Sequence, residues 1–224
     1  MTDHCSGLLF TVSENCRNRL LKERIPENIV HLVGDTMYES IVQHRDEINE
    51  DRILEKIGLD EDYYVLTAHR AENVDNPTKL KDIIKTVQSL GKNIVFPCHP
   101  RTRNKLESQG LLDFIAKDED FNLLEPVSYF SMLKLVKEAE IVLTDSGGIQ
   151  KEAFWLDTPC VTLRENTEWM ETIEQGMNVI VGANPEKIQN AVEIYETTKP
   201  SKKGNPYEFG GASENIIKII KEKL

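Results

Sequence analysis

The run Leu143-Thr144-Asp145-Ser146-Gly147-Gly148-Ile149-Gln150-Lys151-Glu152 carries residue types suited to holding an anion. It reads as a buried strand, Ile141 to Thr144, that breaks into a glycine turn and opens a helix. The start of a helix presents unpaired N–H groups and the positive end of the macrodipole. Glycines remove the side chains that would keep an anion at a distance. The turn is therefore a candidate phosphate cradle. Glu152, four residues past Gly148, places a carboxylate one helical turn further in, where it could accept hydrogen bonds from a ribose. A tight strand-to-helix turn with no ligand explains the same glycines, and the run by itself leaves both readings open.

The surrounding pattern says what must position this turn. Strands are expected near Tyr63–Thr67, Asn93–Phe96, Asn122–Leu124, Ile141–Thr144, Cys160–Leu163 and Asn178–Val181. Helical patterns begin near Pro77, Thr102, Tyr129, Gly148, Glu168 and Pro185. This alternation predicts an α/β fold, a doubly wound, Rossmann-like parallel sheet covered by helices on both faces. Its ligands sit beyond the carboxyl ends of the strands. Polar clusters follow five successive strands there: Thr67-Ala68-His69-Arg70, Cys98-His99-Pro100-Arg101, Glu125-Pro126-Val127, Asp145-Ser146-Gly147-Gly148 and Arg164-Glu165-Asn166-Thr167-Glu168. Upstream, Leu8–Val12 and Ile29–Val33 read as two more strands, separated by a helix capped at Ser13 and running to about Lys22. Two strands do not make an independent sheet. Residues 1–35 are expected to be the tail of a mostly absent first lobe, 36–58 a connecting helix, 59–200 the nucleotide-binding lobe, and 201–224 a C-terminal segment with a helix from about Ala212 to Lys223.

Composition narrows the class. The chain has 224 residues and a net charge of −11, which argues against a general nucleic-acid binder. No apolar run approaches a membrane span and no signal peptide is read at the N-terminus. The cysteines at 5, 16, 98 and 160 form no CxxC pair and no zinc spacing, and read as reduced core thiols of a cytoplasmic protein.

The strings TAHRAEN (67–73), HPRT (99–102), DSGGIQKEA (145–153), LRENTEW (163–169) and NPYEFGGAS (205–213) together resemble the non-hydrolysing UDP-N-acetylglucosamine 2-epimerases, over essentially the whole chain. The resemblance implies the second lobe of a two-lobed, B-type glycosyltransferase-like fold and the interconversion of UDP-GlcNAc and UDP-ManNAc. The route is elimination of UDP and its re-addition, with neither metal nor nicotinamide cofactor. It implies a catalytic role for His69 near the diphosphate and sugar, and UDP or substrate contacts from Arg70, His99, Arg101, Ser146, Gly147, Gly148, Glu152, Arg164 and Glu168. Arg70 is read either as a phosphate clamp or as a structural partner of Glu72, His99 either as a cleft residue or as turn geometry before Pro100, and Asp145 as shaping the turn. Tyr129 and Phe130 are read as helix core or as a wall beside the base. Arg101 and Thr102 depart from the HPNP wording of bacterial members, and Trp169 stands where many of those carry arginine. The family's catalytic carboxylates lie in the first lobe, so the chain alone is expected to bind UDP weakly and to epimerise nothing measurable. A homodimer in the full-length form, or a separate first-lobe polypeptide, is the partner the resemblance implies. The alternatives are a B-type-fold glycosyltransferase, a hydrolysing epimerase and a non-catalytic nucleotide-sugar-binding fragment.

Overall fold

The computed structural model describes residues 2–60, 62–207 and 210–223, so Glu208 and Phe209 of the NPYEFGGAS string lie outside the described residues. The chain divides into two compact units, Met1–Asp46 with Gly204–Leu224, and Glu47–Lys203. The first unit begins with β1 (Leu9–Thr11), α1 (Glu14–Lys22), β2 (Val30–Leu32) and α2 (Thr36–Gln43). Strands β1 and β2 pair in parallel. Ser13 caps α1 by accepting from the Cys16 amide at 3.3 Å, as a serine ahead of a helical run should.

The stretch expected to be one connecting helix is broken into α2, α3 (Arg45–Glu50) and α4 (Ile53–Ile57). The reason is a thin apolar stripe: each piece buries a single isoleucine, Ile41, Ile48 and Ile53 in turn. Asp51 then starts α4 by accepting from the Ile53 amide at 2.9 Å.

The second unit alternates β3 (Tyr63–Thr67), α5 (Ala71–Val74), α6 (Pro77–Gln88), β4 (Asn93–Pro97), α7 (Pro100–Ser108), α8 (Leu111–Ile115), β5 (Phe121–Leu124), α9 (Tyr129–Glu138), β6 (Ile141–Thr144), α10 (Gly147–Trp155), β7 (Cys160–Thr162), α11 (Met170–Glu174), β8 (Asn178–Ile180) and α12 (Pro185–Thr198). The sheet is parallel throughout, ordered β5-β4-β3-β6-β7-β8. Numbered within this unit, that is the doubly wound order 3-2-1-4-5-6. Strand residues alternate between two cores. Tyr64, Leu66, Ile94, Phe96, Ile141 and Leu143 pack with α6, α7 and α12 residues such as Leu80, Ile84, Leu106 and Ile188. Tyr63, Val65, Val95 and Val142 pack against Ile53, Leu135, Val136, Ile149 and Ala153 on the other face. Strands buried on both sides read as unbroken apolar runs, which is why β3 and β6 were legible as strands.

Two helix starts differ from expectation. Helix α7 begins at Pro100, not Thr102, because proline fits the first helical position and His99 Nδ1 caps it from outside, accepting from the Arg101 amide at 3.1 Å. Helix α11 begins at Met170, not Glu168, because the Glu168 side chain is drawn into an ion pair with Arg164. The cysteines also divide. Cys98 and Cys160 are buried, and burial pushes both thiols up to about 12. Cys5 is exposed and Cys16 half-buried, because neither the short turn around Cys5 nor α1 buries any residue. The chain closes with α13 (Ala212–Lys223), which packs on α2, where Glu39 accepts from the Ser213 amide at 3.0 Å.

Candidate functional site

In a doubly wound sheet the strand order reverses where the connections part, and the crevice opens beyond that point. Here it lies between β3 and β6, whose last residues, Thr67 and Thr144, pair in register. Two of the five polar segments, Ala68–Arg70 and Asp145–Gly148, leave the sheet at these adjacent strand ends.

One buried carboxylate joins them. Asp145 is fully buried and accepts from the amides of His69 at 3.0 Å and Arg70 at 3.0 Å, and from Asn73 Nδ2 at 3.1 Å. His69 Nδ1 lies 3.3 Å from the same carboxylate, which turns the other ring nitrogen, Nε2, away from it. Asn73 also donates to the Leu163 carbonyl at 2.8 Å, so the loop after β7 is tied to the same knot. The Ser146 amide donates to Thr144 Oγ1 at 2.9 Å, and the Ser146 hydroxyl caps α10 by accepting from the Ile149 amide at 3.4 Å. Asp145 thus shapes the corner, as its position at the strand end suggested.

Gly147 is the first residue of α10. A Cβ placed on it would lie 3.3 Å from Trp169 Nε1, 3.8 Å from Arg70 Nη2 and 3.9 Å from Arg164 Nη1. Three N–H donors from two loops, one after β3 and one after β7, therefore close around the glycine at a helix start. Among the described residues Trp169 Nε1 is buried and has no hydrogen-bond partner, and the same holds for Arg164 Nε. Arg164 is 6% exposed, and both of its terminal nitrogens reach Glu168 at 3.0 Å. That two-point contact raises the guanidinium above its ordinary value and lowers the Glu168 carboxyl below its own. Glu72, one of the two partners considered for Arg70, faces Arg164 instead, 3.7 Å from Nε.

Glu152 is 4% exposed inside the first turns of α10. Burial raises its carboxyl above the usual range, against a hydrogen bond from Tyr129 and the charge of Lys151. Tyr129 is 44% exposed, so it is a surface residue that reaches Glu152 and not helix core. The raised value fixes the sign of a prediction. At neutral pH the folded state holds a carboxylate it disfavours, and this penalty disappears as pH falls through the raised folded value. Glu152→Gln should therefore melt higher than the parent at pH 7, with the gap shrinking as pH drops; thermal melts across pH 4–7 measure it.

The remaining expected residues divide. His99 lines a small hollow of about 220 Å³ together with His69, Ser146 and Ile149, while its Nδ1 serves as the α7 cap. Arg101 is not brought to the Gly147 corner: its guanidinium pairs with Asp75, which Lys105 also meets at 3.3 Å. The larger hollow of the second unit, about 480 Å³, opens at the amino ends of the strands, with charges of both signs from Lys92, Glu140 and Glu196. It faces away from every clustered donor described above. In the sequence Trp169 stands out only as a residue in place of arginine, and no spacing signals an N–H aimed at Gly147. Among the described residues no helix is long and apolar enough to cross a membrane, and no cluster of side chains fits a metal ion.

A profile of the family described as UDP-N-acetylglucosamine 2-epimerase matches residues 1–221. A protein described as UDP-N-acetylglucosamine 2-epimerase from Methanocaldococcus jannaschii is 42% identical over 228 residues, covering 98% of this chain and 62% of that protein. The crystal structure of the Methanocaldococcus jannaschii UDP-GlcNAc 2-epimerase in complex with UDP-GlcNAc and UDP matches with a TM-score of 0.91 at 40% identity, over 99% of this chain and 62% of that one. The Neisseria meningitidis UDP-GlcNAc 2-epimerase bound to UDP-GlcNAc matches with a TM-score of 0.86 at 27% identity, over 99% and 63%. The chain thus spans 62% of the length of the Methanocaldococcus protein.

Proposed function

The chain belongs to the UDP-N-acetylglucosamine 2-epimerase family, and from that premise we propose that residues 59–200 form the UDP-binding lobe of an enzyme interconverting UDP-GlcNAc and UDP-ManNAc. The observation that carries this reading is the closure of the Trp169, Arg70 and Arg164 donors around Gly147 at the start of α10. Converging N–H groups, two of them on cations, fit the oxygens of a diphosphate.

Within that reading the Ser146 hydroxyl, the amides at Gly147 and Gly148 and the Arg70 guanidinium hold the diphosphate, while the Ser146 amide is kept by Thr144. Glu152 accepts from the ribose hydroxyls. Arg164 and Glu168, locked to one another, border the sugar. His99 lines the His69 side of the hollow, and Arg101 stands two residues further along in α7 with its side chain held by Asp75. His69 stands at the leaving group, with Nδ1 held by Asp145; Nε2 accepts a proton in the neutral ring and donates from the imidazolium. In the elimination the C2 proton leaves to a base, the C1–oxygen bond to the β-phosphate breaks, and UDP and an unsaturated 2-acetamidoglucal result. Return of a proton to the opposite face of C2 and re-addition of UDP at C1 complete the epimerisation. No cofactor enters this balance.

The base at C2 is assigned to carboxylates of a first lobe, of which residues 1–35 supply the tail; residues 36–58 lead into the nucleotide-binding lobe and 201–224 return from it. Such an enzyme works as a homodimer or with a separate first-lobe polypeptide. We place it in the cytoplasm, where unpaired cysteines stay reduced. Calorimetry and product analysis test the proposal. Residues 1–224 by themselves should bind UDP, bind uridine at least about tenfold more weakly because charge-assisted contacts are lost, and convert no UDP-GlcNAc. Mixing with a first-lobe polypeptide should yield UDP-ManNAc and not the free sugar. Turnover by residues 1–224 equal to that of a two-lobed protein would refute the division of labour, and no binding of UDP would refute the site.

A further inference from the structure

Trp169 is mounted with more care than a loop residue needs. Its amide donates to Thr167 Oγ1 at 3.1 Å, its carbonyl accepts from Thr172 Oγ1 at 2.7 Å, and Thr167 is itself fastened to the buried Gln150 at 2.6 Å. Beneath the ring sits the Lys151 ammonium, 4.1 Å from its centroid. The indole N–H points into the corner at Gly147 and, although buried, has no acceptor among the described residues. An N–H buried without a partner costs stability, so it calls for an acceptor that arrives from outside. An acceptor at that spot also meets Arg70 and Arg164, which selects an anion.

We propose that the Trp169 indole N–H is a diphosphate-binding donor, strengthened by Lys151 stacked under its ring. A cation on the ring face draws electron density from the indole and makes its N–H a better donor. The pair presents positive character to the ligand through a neutral side chain whose orientation is fixed. This assignment rests on the UDP-binding reading of the same corner and adds a specific contact to it.

The chain contains two tryptophans, Trp155 and Trp169, so a 15N-labelled sample of residues 1–224 shows two indole N–H signals. Saturating UDP should move the Trp169 signal strongly, and saturating uridine should leave it nearly in place. Trp169→Phe or Trp169→Arg assigns the signal by removing it. Trp169→Phe should weaken UDP binding about tenfold, the scale of one hydrogen bond to a charged group, without changing uridine binding. Lys151→Met should weaken UDP in the same direction by about threefold, within the range of a partly desolvated cation–π contact. Trp169→Arg, which restores a donor and a charge, should recover most of the loss. UDP that binds the parent chain with heat but leaves both indole signals unmoved would overturn the assignment while leaving the nucleotide site standing, as would an equal response to uridine. Absence of any UDP heat would remove the site and the assignment together. The parent-chain spectra decide the matter even where a variant folds poorly.

Discussion

Gly147→Asp should abolish UDP binding while raising the melting temperature. Gly147 has no positive φ, so its backbone conformation is open to any residue. Its Cβ would meet Trp169 Nε1, Arg70 Nη2 and Arg164 Nη1, all of them donors. A carboxylate placed there finds partners at once, and it sits in the first turn of α10, where negative charge is worth about 0.3–1 kcal/mol and more when partly buried. For a chain of this size about 1 kcal/mol moves the melting temperature by about 2–4 °C. The same carboxylate fills the space of the phosphate and repels it, so affinity should fall by about a hundredfold or more, nearly 3 kcal/mol. Gly147→Ala is the milder version: Trp169 has to retreat by a few tenths of an ångström, and binding should weaken with little change in stability. Scanning calorimetry and UDP titration on the same samples separate the two effects. A Gly147→Asp protein that held UDP as tightly as the parent would place the nucleotide elsewhere.

Asp145→Ala should be the most destabilising single change at the site. The carboxylate is fully buried and holds the His69 and Arg70 amides and the Asn73 side chain. Its removal strands three donors without water to replace it. Losing one side of a buried charged contact costs about 3–5 kcal/mol, or about 6–20 °C at this chain length. Asp145→Asn should fall between the two, because its amide keeps one acceptor but turns a second N–H toward groups that are themselves donors. Urea unfolding followed by circular dichroism measures both. UDP affinity should fall with each, since the loops carrying His69 and Arg70 lose their anchor. A small stability change in Asp145→Ala would mean that other contacts hold those loops.

The strand ends were legible because apolar runs and glycines act locally. Ile141–Thr144 followed by two glycines could hardly be anything but a strand turning into a helix, and Pro77 and Pro185 mark the first residues of α6 and α12. Glu152 could be placed by counting along one helix. The knot at Asp145 could not be placed that way, since its partners lie 72 to 76 residues earlier and no spacing rule spans such a distance. Arg101 illustrates the opposite error. A cation in a loop beyond a strand looks free, yet Asp75, from another loop, engages it. Three isoleucines could not hold one straight helix over 36–58, but where it would break depended on Asp51, whose capping role is decided by tertiary context.

The pairing of β3 with β6 has a consequence for how the molecule is made. These neighbours are adjacent in space and about 77 positions apart along the chain, with β4 and β5 between them in sequence. Parallel partners cannot zip up from a tight hairpin, and contacts this distant slow the search for the native arrangement. A ribosome emitting this polypeptide must release everything through the tenth helix before the nucleotide corner has its second wall. On the UDP-binding reading proposed above, the nucleotide has nothing to stabilise until then, and once that wall is in place it shifts the balance toward the finished form as its concentration rises.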